Sequence, residues 1–68
     1  MSEFKEVLKD LRREKGVSVN RLAKILGVSN ACVSYWENGK REPNLQQIRK
    51  ICLYFNVSAD ILIGMDDE

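Results

Sequence analysis

Side chains that can both donate and accept hydrogen bonds are concentrated in one short stretch, which begins at Ser29. Asn30 carries an amide, Ser34 and Tyr35 carry hydroxyl groups, and Ala31 contributes only a methyl group. If the stretch is helical, these side chains share one face, because residues three and four apart are neighbours on a helix. Such a face can bind a partner through hydrogen bonds and apolar contact.

Residue types suited to catalysis or metal binding are sparse. The chain has no histidine, and its two cysteines, Cys32 and Cys52, lie 20 residues apart. Two thiols supply only half of the four ligands of a usual zinc site, and no acids cluster at catalytic spacing. We also expect so small a core to leave no concave pocket of a few hundred Å³. These observations predict no enzyme, no metal, no cofactor and no small-molecule ligand.

Length and hydrophobic spacing predict one all-α domain. A chain of 68 residues allows one small core, which buries about 60% of the unfolded surface. Apolar residues recur at helical rather than alternating spacing. No stretch approaches the roughly 20 apolar residues that span a bilayer, and we expect a cytoplasmic protein. The domain is expected to cover residues 1–65, followed by an acidic tail at residues 66–68.

Charge is divided unevenly along the chain. Residues 1–55 hold all 11 lysines and arginines and six acids, a net charge of +5. Residues 56–68 hold four acids and no base, a net charge of −4. A basic body with an acidic end suits a protein that turns one side towards phosphate. The alternative is that water solvates both ends and no polyanion is bound.

The spacing around Gly27 predicts two helices joined by a tight turn. Gly27 can take the left-handed backbone that ends a helix, and Ala23 is small enough for a second helix to cross close above it. Val33 and Trp36, three apart on the second helix, point back onto the first. Helices joined by so short a turn meet at a steep angle. The pattern predicts a helix-turn-helix, whose outward face is the polar face described above.

Cap residues and apolar stripes predict three further helices and a common core. Trp36 and the stripe from Phe4 to Leu11 are expected in that core. The predicted helices cover residues 2–15, 19–26, 30–38 and 45–55, and a last short helix ends at Gly64. The expected N-terminal caps are Ser2, Ser18, Ser29, Asn44 with Gln47, and Ser58. The core residues expected from the last two helices are Leu45, Ile48, Ile51, Cys52, Phe55, Ile61 and Leu62.

Residues 8–64 resemble the helix-turn-helix domain of phage-repressor and Cro-type proteins, the xenobiotic-response-element regulator family. The motifs that carry the resemblance are LRREKGVS, LAKILGVS, YWENGKREPN and NVSADILIG. The resemblance implies a compact five-helix, lambda-repressor-like DNA-binding domain with its helix-turn-helix at helices 2 and 3. It implies a sequence-specific regulator of transcription, encoded by a prokaryote or phage. We expect a repressor that binds an inverted-repeat operator in double-stranded DNA as a homodimer.

The resemblance also assigns DNA-binding roles to single residues. It places the third helix in the major groove, where Asn30 can bind adenine and Ala31 can touch a thymine methyl group. Val19 stands where related proteins commonly have a glutamine that binds phosphate, so its neighbours are expected to take that role. The expected base-reading residues are Ser29, Asn30, Ala31, Ser34 and Tyr35. The expected phosphate contacts are Asn20, Arg21, Asn38, Lys40 and Arg41.

Other residues are expected to have structural roles. The resemblance implies an ion pair between Arg12 and Glu37, with two independent surface charges as the alternative. Tyr54, Ile63 and Met65 look surplus to so small a core, so we expect them at a dimer interface. The cysteines are expected to be half-buried apolar residues, with a redox switch as the alternative.

A second functional class is a protein-interaction module on the same fold, such as an antitoxin-like or anti-repressor partner. Val19 and Glu42 favour it slightly, because each weakens the phosphate contacts that the family usually makes. This hypothesis predicts salt-insensitive binding to a protein and little affinity for DNA.

Overall fold

A computed structural model describes residues 3–65 of the chain. This part is all-α and contains no strand, as the periodicity predicted. None of its helices is long and apolar enough to cross a membrane. The five helices are α1 (Phe4–Lys15), α2 (Val19–Leu26), α3 (Asn30–Glu37), α4 (Leu45–Phe55) and α5 (Ala59–Ile63).

The predicted side-chain caps explain where most helices begin. Ser18 Oγ accepts a hydrogen bond from the Arg21 N–H at 3.0 Å, and Ser29 Oγ accepts one from the Cys32 N–H at 3.1 Å. Asn44 begins α4 in a reciprocal capping box with Gln47, and Ser58 caps α5. The predicted Ser2 cap lies outside the described residues. The N-cap of α1 is Glu3, without a side-chain hydrogen bond.

The turn between α2 and α3 depends on one left-handed residue. Gly27 has a φ of 74°, and the Val28 N–H reaches back to the Ala23 carbonyl at 2.9 Å. A residue with a Cβ would be strained in this conformation, so glycine suits the position. The predicted α3 ended at Asn38; the observed helix ends one residue earlier, and Asn38 is its C-cap.

The core lies where α3 and α5 pack against α1 and where α4 packs against α2 and α5. Leu8 of α1 and Val33 and Trp36 of α3 are buried, and the Phe4 ring meets the Trp36 indole edge-to-face at 6.5 Å. The helix-turn-helix packing predicted from the spacing is therefore confirmed. The remaining buried apolar residues are Leu22, Ala23, Leu26, Ile51 and Leu62.

Two residues expected in the core are exposed instead. Leu45, the first residue of α4, has 75% of its surface exposed, whereas Ile48, three residues later, packs against the core. Ile61 is 42% exposed, whereas the adjacent Leu62 is buried. Neighbouring residues of a helix point about 100° apart, so a helix as short as α5 inserts only one of the two into the core.

Candidate nucleic-acid interface

The two faces of α3 differ in burial. Val33, Trp36 and Glu37 face the interior and are buried. On the opposite face, Asn30 and Ala31 are exposed, Ser34 is half-buried and Tyr35 is 38% exposed. The exposed Ser29 precedes this face, with its hydroxyl engaged as the helix cap. Four of the five predicted base readers are therefore exposed, and Ser34 is half-buried.

The segment after α3 brings three polar side chains beside this face. The Lys40 N–H donates to the Tyr35 carbonyl at 2.9 Å, which keeps the start of the loop close to the helix. Asn38, Lys40 and Arg41 are all exposed, as expected for residues that contact a solvated phosphate backbone.

Lys5 is a further cation at this loop that the sequence reasoning missed. Its side chain lies across Gly39, so closely that a Cβ built on Gly39 would stand 3.1 Å from Lys5 Cδ. Gly39 has a φ of 75°. Lys5 belongs to α1, and no local motif relates α1 to a loop more than thirty positions away; the juxtaposition is visible only in the folded chain.

Tyr35 and Arg41 are in direct contact. The guanidinium carbon of Arg41 lies 5.0 Å from the centroid of the Tyr35 ring. This distance is within the range of a cation–π interaction, which is reached at about 6 Å. The structure thus joins a predicted base reader to a predicted phosphate contact.

The start of α2 presents two other predicted phosphate contacts. Asn20 and Arg21 are exposed in its first turn, whereas Val19 is partly buried against the core. The side chain of Val19 is therefore used for packing. A side-chain contact to phosphate at this helix end would come from Asn20 or Arg21.

Arg12 and Glu37 connect α1 to the end of α3. Arg12 Nε donates to Glu37 Oε2 at 2.6 Å, and Nη2 donates to Oε1 at 3.1 Å. Arg12 Nη1 also donates to the Val17 carbonyl at 2.9 Å. The hydrogen bonds that Arg12 donates to the Glu37 carboxylate raise the pKa of Arg12 above its ordinary value, against the opposing effect of burial.

The residues expected at a dimer interface do not share one environment. Tyr54 is half-buried, and Lys15 Nζ lies 4.3 Å from its ring centroid and donates to its carbonyl at 3.1 Å. The expectation that Tyr54 is surplus to the core is therefore wrong, because it packs against the core cluster. Ile63 and Met65 remain 39% and 63% exposed.

An open groove of about 390 Å³ lies between the start of α1, the loop after α3 and the end of α5. The expectation that so small a domain leaves no concave pocket of a few hundred Å³ is wrong. Trp36 lines this groove, although only 1% of its surface is exposed. The groove is lined by Glu3, Phe4, Lys5, Trp36, Gly39, Arg41, Glu42, Pro43, Ile48 and Ile63.

The cysteines are free and half-buried among residues 3–65. Burial raises the pKa of the Cys52 thiol above its ordinary value. Within the same part of the chain, no group of three or more cysteine, aspartate or glutamate side chains could hold a metal ion.

Comparison with known families identifies this fold. A family model described as Helix-turn-helix matches residues 8–62. The chain belongs to this helix-turn-helix family. The family and the lambda-repressor-like fold class predicted from the sequence are confirmed.

A transcriptional regulator and a repressor are among the relatives of this helix-turn-helix chain. The HTH-type transcriptional activator BcrR of Enterococcus faecalis is 37% identical over 65 residues, which cover 96% of this chain and 32% of BcrR. The P22 c2 repressor, solved in complex with a synthetic operator, is 27% identical with a TM-score of 0.89. That match covers 97% of this chain and all of the repressor chain. The chain spans about a third of the length of BcrR.

An enzyme structure shares the same helix-turn-helix fold over part of its length. Hydroxypropylphosphonic acid epoxidase from S. wedmorenis is 34% identical, with a TM-score of 0.80. The match covers 88% of this chain and 32% of the epoxidase chain. Fold similarity alone does not assign the activity of the epoxidase to this chain, because function depends on the residues at a site.

Proposed function

We propose that this helix-turn-helix domain is a sequence-specific regulator of transcription that binds operator DNA with α3 in the major groove. The observation that carries the proposal is the division of α3. Its inner face is buried core, and its outer face offers an amide, two hydroxyl groups and a methyl group. These are the groups that distinguish base pairs in the major groove, which is wide enough for an α-helix.

Each exposed group on this face has a natural partner on a base edge. The Asn30 amide matches adenine N6 and N7, the Ala31 methyl group matches the methyl group of thymine, and Ser34 can donate or accept. Tyr35 can contact a base or donate its hydroxyl to phosphate. The face contains no arginine or lysine for guanine, which favours an operator rich in A·T pairs.

Cations around α3 supply the part of the affinity that does not depend on sequence. Lys40, Arg41 and Lys5 come from the loop and from α1, while Arg21 comes from the start of α2. Each phosphate that they neutralise releases counterions, so binding should weaken as salt rises. Glu42 reduces the net charge of the loop, and we expect few phosphate contacts per subunit.

We further propose that the domain acts as a homodimeric repressor in the cytoplasm of a prokaryotic cell. Two-fold symmetry would place two copies of α3 about 34 Å apart, one turn of DNA, on inverted half-sites. Ile63 and Met65 are exposed apolar residues that could form the subunit interface, whereas Tyr54 packs against the core and lies against Lys15. Proteins similar to this chain include an activator, BcrR, and the P22 c2 repressor.

The test is selection from a random duplex library at physiological salt, followed by sequencing of the bound pool. We expect enrichment of an inverted repeat with half-site centres about one turn apart. Enrichment of a single half-site would contradict the dimer but retain specific recognition.

The competing function is a protein-interaction module. It is favoured by Val19, whose side chain packs inward, and by the groove beside Trp36, which has several apolar residues in its walls. If folded protein enriches no DNA sequence and its binding to a captured protein is insensitive to salt, this function replaces the first.

A further inference from the structure

We propose that Arg41 is a positioning residue that sets the orientation of Tyr35, and that it thereby contributes to sequence discrimination as well as to phosphate binding. The inference rests on the proposed DNA-binding function. The observation behind it is the position of the Arg41 guanidinium, 5.0 Å from the Tyr35 ring centroid. A simple phosphate contact would not need to stack on a base-reading side chain.

Tyr35 needs such a neighbour because its own helix leaves it open. Its side chain is 38% exposed on the outer face of α3. The aromatic contacts within residues 3–65 join Phe4 to Trp36 and Tyr54 to Phe55, and none involves Tyr35. Stacking of Arg41 therefore adds a restraint to a ring that makes no aromatic contact within residues 3–65.

The backbone supports the contact from the other side. The Lys40 N–H donates to the Tyr35 carbonyl at 2.9 Å, so the residue before Arg41 is hydrogen-bonded to the backbone of Tyr35. Gly39 has a φ of 75°, and this left-handed residue turns the chain back beside the helix. This turn places the backbone of Arg41 near Tyr35, so the guanidinium can reach the ring.

Arginine suits the two contacts better than lysine, although a lysine ammonium can also lie over a ring, as Lys15 lies over Tyr54. A planar guanidinium stacks on an aromatic face and still has N–H groups directed outward for a phosphate oxygen, whereas a lysine ammonium acts as a point charge. Arg41 can therefore contact Tyr35 and a phosphate at the same time. Binding of Arg41 to the DNA backbone would then hold the Tyr35 ring in place beside the bases.

A set of variants can separate the effect of the Arg41 charge from the effect of its stacking on Tyr35. Arg41→Lys keeps the charge and loses the planar stack. Tyr35→Phe keeps the ring and loses the hydroxyl, while Tyr35→Leu removes the ring. Lys40→Ala is the matched control, because it removes a neighbouring cation whose side chain has no aromatic contact within residues 3–65.

The first measurement uses free protein. In an NMR spectrum, the side-chain protons of Arg41 should be shifted upfield by the ring current of Tyr35. The shift should persist in Tyr35→Phe and disappear in Tyr35→Leu. Arg41 protons at unshifted positions in the wild type, or unchanged in Tyr35→Leu, would overturn the positioning role without any bearing on DNA binding.

The second measurement compares dissociation constants for the selected operator and for random DNA across a salt series. Arg41→Lys should lower the ratio of the two affinities by about 2- to 5-fold, as expected for an exposed cation–π contact, with an unchanged salt dependence. Lys40→Ala should weaken both DNAs alike and lower the salt slope by about 1.

The outcomes distinguish the two proposals. If the wild type selects no operator, the proposed function and the positioning role both fail. If it selects an operator but Arg41→Lys leaves the affinity ratio unchanged, only the positioning role fails, and Arg41 is a phosphate contact alone.

Discussion

Arg12 of α1 and Glu37 at the end of α3 form a two-point ion pair, with N–O distances of 2.6 and 3.1 Å. Glu37 is the one charged residue classed as buried within residues 3–65, with 6% of its surface exposed. The pair fixes the C-terminal end of α3 against α1, so it sets the angle at which the outward face of α3 is presented.

Loss of one member of this pair should destabilise the domain. We expect Glu37→Ala to lower the free energy of unfolding by about 3 kcal/mol, because the Arg12 guanidinium would remain largely buried and unpaired. Urea denaturation followed by tryptophan fluorescence would measure the change. The double variant Arg12→Met, Glu37→Met should be more stable than Glu37→Ala alone. Equal stability of the wild type and Glu37→Ala would mean that the pair behaves as two independent surface charges.

Removal of the Asn30 amide should reduce sequence discrimination. Asn30→Ala should weaken operator binding by about 1–3 kcal/mol if the amide makes a two-point contact with adenine, and should leave binding to random DNA nearly unchanged. Competition binding with operator and random duplexes would measure both. Gln46→Ala, an exposed amide on α4, is the matched control. An equal loss on both DNAs would exclude Asn30 as a base reader.

A methyl group on Gly39 should disturb both the backbone and the cation above it. Gly39→Ala should lower stability by about 1 kcal/mol or more, because its φ is positive, and should displace Lys5, which lies 3.1 Å from the new Cβ. Displacement of Lys5 should lower the affinity for operator and for random DNA alike. Gly16→Ala is the control, since Gly16 has a similar φ of 71° but nothing within 4 Å of a Cβ. If the two variants bind DNA equally well, Lys5 has no part in the interface.

Charge on the exposed end of α5 should prevent dimer formation. Met65→Asp and Ile63→Asp should each shift sedimentation towards the monomer and weaken binding to the full operator far more than to one half-site. Leu53→Asp, at an 82% exposed position on α4, should leave the dimer intact. If only Leu53→Asp dissociates the dimer, the interface lies on α4 instead.

Cys52 should make a small contribution to alkaline unfolding. Its pKa in the folded state lies above the ordinary value of 9.0 because burial disfavours the thiolate. Well below pH 9 the thiol is protonated in both states. As pH rises through that value, the unfolded thiol ionises first, the unfolded state binds fewer protons, and stability falls. In a Cys32→Ala background, thiolate absorbance should rise at higher pH in folded than in urea-unfolded protein; coincident titrations would contradict this.

The sequence by itself determined the helices and the relation of α2 to α3. Caps such as Ser18 and Ser29 act within three residues, and Gly27 acts within one turn, so their effects can be predicted from local order. The polar face of α3 follows from the same periodicity, because helical spacing settles which side chains stand together. The Arg12–Glu37 pair was expected only through the family resemblance.

Tertiary structure decided which faces are covered and which distant residues meet. Leu45 and Ile61 are as apolar as Ile51 and Leu62, but 75% and 42% of their surfaces are exposed, whereas Ile51 and Leu62 are fully buried. The contacts of Lys5 with Gly39 and of Lys15 with Tyr54 join separate elements, and Arg41 reaches Tyr35 only through the turn of the loop. Periodicity defines a face but not its neighbour, because the neighbour depends on how all five helices share one small core.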